Sequence, residues 1–279
     1  KTMAASTSTT LDDLFANIIA QARFTAEENS LMAGLVTQYN IGSEAGKTIQ
    51  VPKYPAITAA ALTEGTDMTS TTVSTSSVSI TIGEVGAQVV LTDVAAMGAG
   101  NPAVELGTVL GNAIATKMDT DLISLFSGFS SGLGGAGVEI TVADIFKAAA
   151  TLRAAKAQGD VFAVVHPFQA YQLKANLTNT FANPNGGDIQ NVAMAQSYVG
   201  TIAGIDIYES TNMTVDGSDD AIGGVFSREA LALVMKRDFE IETQRDASLR
   251  AFELNATAVY GTGELDDSYG VSLTFDAAL

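Results

Sequence analysis

The 279-residue chain has no cysteine, no tryptophan and one histidine, and it carries 14 basic residues against 31 acidic ones. Each shortage removes a class of chemistry. Without cysteine there is no disulfide framework, no thiolate-ligated zinc or iron–sulfur centre and no thiol nucleophile. His166 alone cannot build a multi-histidine metal site. It ends an apolar run, precedes Pro167 and has no G-x-S-x-G sequence to serve, so it reads as a structural histidine. The formal net charge of −17 argues against electrostatic binding to nucleic acid, because a phosphate backbone is neutralised by Lys and Arg. No run approaches the roughly 20 apolar residues of a membrane span. The best candidate, residues 122–138 (LISLFSGFSSGLGGAGV), is broken by Ser and Gly, and the polar start KTMAASTSTT has no secretory apolar region. No membrane partner and no cofactor are expected.

What remains is a chain of small and apolar residues. It holds 43 Ala, 26 Gly, 20 Ser and 30 Thr, and 47% of it is hydrophobic. A mean hydropathy of +0.23 supports a packed interior and argues against disorder. The length suits one large domain or two modest ones.

Hydrophobic periodicity orders the chain. Residues 10–24 (TLDDLFANIIAQARF) place Leu11, Leu14, Phe15, Ile18, Ile19 and Ala22 at helical spacing, with Thr10 as the cap. The pattern continues helically over 26–39. Residues 47–54 (KTIQVPKY) read as a strand, and Val78, Ile80 and Ile82 alternate with polar partners as a second. Between them lies a long ribbon turning at Glu64-Gly65-Thr66-Asp67, with no aromatic residue over 56–85. A lone ribbon is marginal in water, so this one is expected to lean on something outside its own domain. Residues 85–91 form a more apolar strand. Residues 102–127 form the longest helical pattern, about 39 Å long, with Pro102 at its first position and an apolar stripe at Leu106, Val109, Leu110, Ala113, Ile114, Met118, Leu122, Leu125 and Phe126. Residues 130–137 (SSGLGGAG) read as a flexible connection. A helix over 141–158, a strand over 160–166, a helix from Pro167 to 177, an Asn/Gly-rich loop over 179–191 and strands over 202–208 and 221–227 suggest a compact α/β unit. Its expected centre is Ile145, Phe146, Leu152, Phe162, Val164, Val165, Tyr171, Leu173, Ile205 and Ile207. Strand patterns from 239 onward, over 254–260 and 269–275, close the chain.

The motifs that carry chemistry are weak. GLGGAG (132–137) follows a helix and has no Lys nearby, unlike a phosphate loop. Asp216-Gly217-Ser218-Asp219-Asp220 lacks the spacing and terminal Glu of a calcium loop. The paired carboxylates Asp12/Asp13, Asp119/Asp121, Asp219/Asp220 and Asp266/Asp267 read as solvated acids, and the absence of Trp argues against the aromatic platforms of a glycosidase. Charge placement says more. Residues 54–116 contain no Lys or Arg, whereas basic residues gather at Lys147, Arg153, Lys156 and Lys174 and again at Arg228, Lys236, Arg237, Arg245 and Arg250. The two regions are either ordinary solvated faces or complementary surfaces between copies.

The order and length of these elements resemble the major capsid proteins of tailed bacteriophages, the Hong-Kong-97-type fold, over nearly the whole chain. The segments that carry the likeness are GKTIQVPKYP, ALTEGTDM and VSITIGEVGAQVVLTD, followed by NPAVELGTVLGNAIATKMDTDLISLF. The resemblance implies an α+β chain with an N-terminal arm (1–42), an E-loop (43–85), a P-domain with a spine helix (86–140), an A-domain (141–227) and returning P-domain strands (228–279). It implies a non-enzymatic virion protein, made in the host cytoplasm, whose copies form hexamers and pentamers of an icosahedral shell around packaged double-stranded DNA. A scaffolding protein, a portal and decoration proteins are the implied partners. Either a separate scaffold acts or a prosegment is cleaved before Lys1. Some members crosslink an E-loop lysine to a neighbour's asparagine. This ribbon has no lysine beyond Lys53, so crosslinking is not expected. The expected contact between copies is Glu64 and Asp67 at the ribbon tip against Arg237, Arg245 or Arg250. The alternatives are an encapsulin-type nanocompartment shell and an extracellular β-rich adhesin or surface-layer protein.

Overall fold

The computed structural model describes residues 30–42, 46–54, 57–59, 61–68, 70, 72–94, 102–180 and 198–278. The helix expected over 10–24 and most of the loop over 179–191 lie outside them. The described elements, in chain order, are α1 (Leu31–Leu35), β1 (Thr37–Asn40), β2 (Thr48–Lys53), β3 (Ser76–Thr81), β4 (Gly83–Thr92), α2 (Pro102–Ser124), β5 (Gly132–Gly134), α3 (Val142–Ala154), β6 (Val161–Val165), α4 (Pro167–Thr180), β7 (Tyr198–Ile202), β8 (Ile205–Glu209), β9 (Asp220–Ser227), β10 (Leu231–Asp246), β11 (Ala251–Glu264) and β12 (Gly270–Asp276).

They form three sheets. A four-stranded sheet has the order β1-β10-β11-β4, a six-stranded sheet the order β5-β12-β9-β6-β8-β7, and β2 pairs with β3 alone. The segment 228–279 therefore supplies two strands to the first sheet and one, β12, to the second. The long helix α2 follows from its sequence. Leu110, Ile114, Met118 and Leu122 recur every four residues and are buried against Leu254, Ala256, Ala258 and Tyr260 of β11. Val109 and Ala113 lie one step round the helix from that stripe and face solvent. At its end a 3-10 turn, Leu125–Gly128, drives Phe126 into the six-stranded sheet beside Phe226.

The six-stranded sheet is covered on both faces, which is why β6 (VFAVV) is apolar throughout. Ala163 and Val165 share a face with Ile205 and Ile207 of β8 and pack in one core with Ile145 and Leu152 of α3 and Leu173 of α4. Phe162 and Val164 face the other way, into the core shared with α2. The single expected centre is thus two cores on opposite sides of one sheet. Phe146 and Tyr171 join neither and are exposed. Helix α3 begins at a capping box in which Thr141 and Asp144 satisfy each other's backbone amides.

Three local expectations change. Of the helix expected over 26–39, residues 26–29 lie outside the described residues; within the rest, α1 stops at Leu35, and β1 pairs in parallel with Ala232–Met235 of β10. Gly34, Val36 and Thr37 are poor helix formers, so sheet pairing wins. The glycine stretch 132–137 is not a free linker, because β5 pairs in parallel with β12. Gly134 adopts φ +97°, and a Cβ there would collide with the Thr274 carbonyl and the Phe275 ring. The strand expected over 202–208 is a tight hairpin instead. Ala203 (φ 57°) and Gly204 (φ 81°) turn β7 back onto β8.

Candidate assembly surfaces

The β2–β3 hairpin is an antiparallel ladder from Thr48↔Thr81 to Lys53↔Ser76. Ile49, Val51, Val78 and Ile80 share one of its faces, which packs on Ala232 and Val234 of β10 together with Ile82. Beyond Lys53 the ladder ends, and the ribbon continues to a turn where the Thr66 amide donates to the Thr63 carbonyl (3.1 Å). Gly65 sits at φ +80°, the left-handed position such a turn requires. Along this outer part Tyr54, Ile57, Leu62 and Met68 are 70%, 59%, 66% and 75% exposed. Four large apolar side chains on a narrow ribbon make a surface that is complete only when something covers it.

The root of the hairpin is fixed. Lys53 Nζ lies 2.6 Å from the Asp266 carboxylate. Burial works against ionisation of Asp266, but Lys53 and the Ser268 hydrogen bonds outweigh it and hold its carboxyl below the usual range. Burial, and then the charges of Asp267 and Asp266, push the neighbouring Glu264 carboxyl up. Lys53 is thus committed at the root of the ribbon.

The expected contact residues occupy separate places. Glu64 and Asp67 are exposed at the tip, with no ion pair to either among the described residues. Arg237 donates to Glu84 (2.9 Å) and to Thr257 Oγ1 (3.1 Å). Arg245 makes a two-pronged pair with Asp93 (2.6 and 2.7 Å) and lies 4.5 Å above the Phe252 ring. Its hydrogen bond is the main cause that lowers the Asp93 carboxyl below its ordinary value. Arg250 stands in the β10–β11 turn at φ 50° without a bonded carboxylate among the described residues. The structure therefore brings none of the three arginines to the tip within one subunit, and two already hold acids of their own sheet.

Sequence reasoning missed the junction at Asp119. This buried carboxylate of α2 accepts from the Ser30 hydroxyl (3.1 Å), the Leu31 and Met32 amides (3.2 and 3.1 Å) and Asn212 Nδ2 (3.4 Å). It ties the start of α1 and the loop after β8 to the long helix. Burial pushes its carboxyl up, against these hydrogen bonds. Its sequence signal is an acid beside the apolar stripe of a helix, which pairing with Asp121 in the sequence does not distinguish from a solvated acid. His166 is buried. Its Nδ1 accepts from the Phe168 amide (3.4 Å), and burial lowers its pKa. Asp216 caps its own loop through the Ser218 and Asp220 amides. Among the described residues no group of three His, Asp or Glu side chains is placed to hold a metal ion.

The structure thus combines a long helix packed on a β-sheet, an α/β body and a ribbon seated on the four-stranded sheet whose outer part is exposed. Residues 75–272 match the family model described as phage capsid protein, and the chain belongs to that family. No protein of curated function matches the chain in sequence. In structure it is similar to the capsid of cyanophage P-SCSP1u, at 18% identity and TM-score 0.68 over 88% of this chain and 87% of that one. The corresponding values for Mycobacterium phage Che8 are 19% and 0.64, over 82% and 85%. For the SrpI encapsulin of Synechococcus elongatus they are 10% and 0.62, over 90% and 89%. Identities this low show the fold alone, which is the α+β Hong-Kong-97-type fold of phage capsids and encapsulins alike. The family match favours the capsid and does not favour the nanocompartment or the surface protein. The chain is a major capsid protein, a structural component of the virion.

Proposed function

We propose that copies of this chain form the hexamers and pentamers of an icosahedral shell, with residues 43–85 acting as the loop that each copy lays on its neighbour. The exposed Tyr54, Ile57, Leu62 and Met68 carry this reading. Full burial of such side chains is worth about 1.5–3 kcal/mol each, so four of them supply on the order of 6–12 kcal/mol of gross driving force per contact. Subunits of net charge −17 repel one another, and local complementarity offsets part of that repulsion. Glu64 and Asp67 meet basic residues of the next copy, with Arg250 free to receive them and Arg237 and Arg245 able to exchange partners. Exposed pairs contribute only about 0–1 kcal/mol each, but the shell repeats them on every subunit.

Assembly takes place in the host cytoplasm with a scaffolding protein, a portal and decoration proteins, and the closed shell retains packaged duplex DNA mechanically. Segments 86–140 and 228–279 act as its P-domain and 141–227 as its A-domain. Charge reversal tests the contact. Glu64→Lys with Asp67→Lys is expected to impair assembly, and adding Arg250→Glu to restore it. Normal shells from the double reversal would remove this contact.

A further inference from the structure

The hairpin crosses the face of the four-stranded sheet that α2 leaves free. At the crossing, β11 carries Gly261 and Gly263 on its hairpin side, while Ala258 and Tyr260 face α2. A Cβ on Gly261 would stand 2.6 Å from the Thr81 carbonyl oxygen and 3.2 Å from Ile82 Cα. On Gly263 it would stand 2.6 Å from Ile80 Cγ1 and 3.0 Å from Cδ1. Non-bonded heavy atoms settle at about 3.5–4.0 Å, so a side chain at 261 pushes the Thr81–Ile82 backbone off the sheet, and one at 263 displaces the Ile80 side chain that seats the ribbon. The ladder is closed at its base by the Ile82 N–H donating to the Lys47 carbonyl (2.8 Å), and the Lys53–Asp266 pair (2.6 Å) ties the ribbon to the body.

We propose that Gly261 and Gly263 are positioning residues for shell assembly. They form a seat that sets the height and angle at which the hairpin leaves the subunit, and hence where its tip meets a neighbouring copy. The inference rests on the reading that the tip engages a second copy. Leverage makes the seat matter. Thr81 lies five residues along the ladder from the level of the Lys53–Asp266 pair, about 17 Å, and the tip lies up to about 36 Å beyond it. A lift of about 1 Å at Thr81, pivoting on that ion pair, moves the tip by about 2 Å in the opposite sense.

Gly83 supplies the matched control. It belongs to the same sheet, and a Cβ there meets nothing within 4 Å. Because the chain has no cysteine, Thr66→Cys at the tip and Glu242→Cys on the body accept two spin labels and no others. Electron–electron resonance distances are measured on unassembled, full-length subunits, and particles are sized by electron microscopy. Gly261→Ala and Gly263→Ala are expected to shift the tip-to-body distance by about 2 Å or broaden its distribution. They are also expected to give particles of altered diameter or unclosed sheets, whereas Gly83→Ala changes neither. If Gly261→Ala does not fold, Gly263→Ala, which meets a side chain and not the backbone, decides. Distances matching those of Gly83→Ala would overturn the seat, and so would shifted distances with normal shells. The underlying reading fails on a separate result: normal closed shells after deletion of residues 59–69.

Discussion

Phe126 joins the long helix to the six-stranded sheet, and its truncation is the sharpest test of how the two layers are held together. The ring is fully buried, 5.3 Å from Phe226 and 6.2 Å from Phe129 between centroids. It lies so close over Gly224 that a Cβ there would come within 2.8 Å of it. A phenylalanine buries roughly 200 Å², which at about 25 cal/mol per Å² is near 5 kcal/mol. A compact unfolded chain already hides part of that area, which reduces the figure to about 3–4 kcal/mol. The two aromatic contacts and the cavity left behind act in the other direction, so Phe126→Ala should cost about 3–5 kcal/mol. Gly224 offers no side chain to fill the space, which favours the upper part of that range. For a 279-residue chain the loss lowers Tm by roughly 5–9 °C, measured by scanning calorimetry on unassembled subunits. A loss below about 1 kcal/mol would refute the claim that this ring fastens helix to sheet.

Asp119→Asn replaces one of the two carboxylate oxygens, which accept separately from the Leu31 and Met32 amides, with an NH2 donor. It should cost about 1–3 kcal/mol and speed hydrogen exchange at those two amides before the rest of the chain. The Asp93–Arg245 pair makes stability depend on pH. Because the folded pKa of Asp93 is depressed, its contribution is in place above the ordinary carboxylate value and is lost as pH falls through the lowered one. Arg245→Ala should flatten that acid limb of a pH–stability curve, and an unchanged limb would count against the pair. With a net charge of −17, purified subunits should show no appreciable affinity for duplex DNA even at low salt, where tight binding would contradict mechanical retention.

The parts legible in the sequence were those fixed by local pattern. Residues 102–127 announced α2 through an apolar repeat every three to four positions, and Thr141 with Asp144 announced the start of α3. The alternation at Val78, Ile80 and Ile82 announced β3, although Ile82 itself lies just past the strand. The parts that misled were decided by distant partners. Residues 37–40 have a weak helical pattern, and only β10, nearly 200 residues later, makes them a strand. Gly132–Gly134 looks like a linker because its reason for being glycine, the Thr274 carbonyl and Phe275 ring, lies at the other end of the chain. The glycines at 261 and 263 gave no signal, since their meaning depends on a ribbon crossing above them. Arg237 and Arg245 read as free cations because Glu84 and Asp93 are remote in sequence and adjacent only in the folded sheet.

The central claim is that this ribbon is completed by a neighbouring copy, and a cryo-electron-microscopy map of assembled particles tests it most directly. The account predicts a closed shell in which the outer ribbon of each subunit lies on an adjacent copy, with Tyr54, Ile57, Leu62 and Met68 buried in the contact. Closed particles whose ribbons project into solvent, or fold back onto their own subunit, would contradict it.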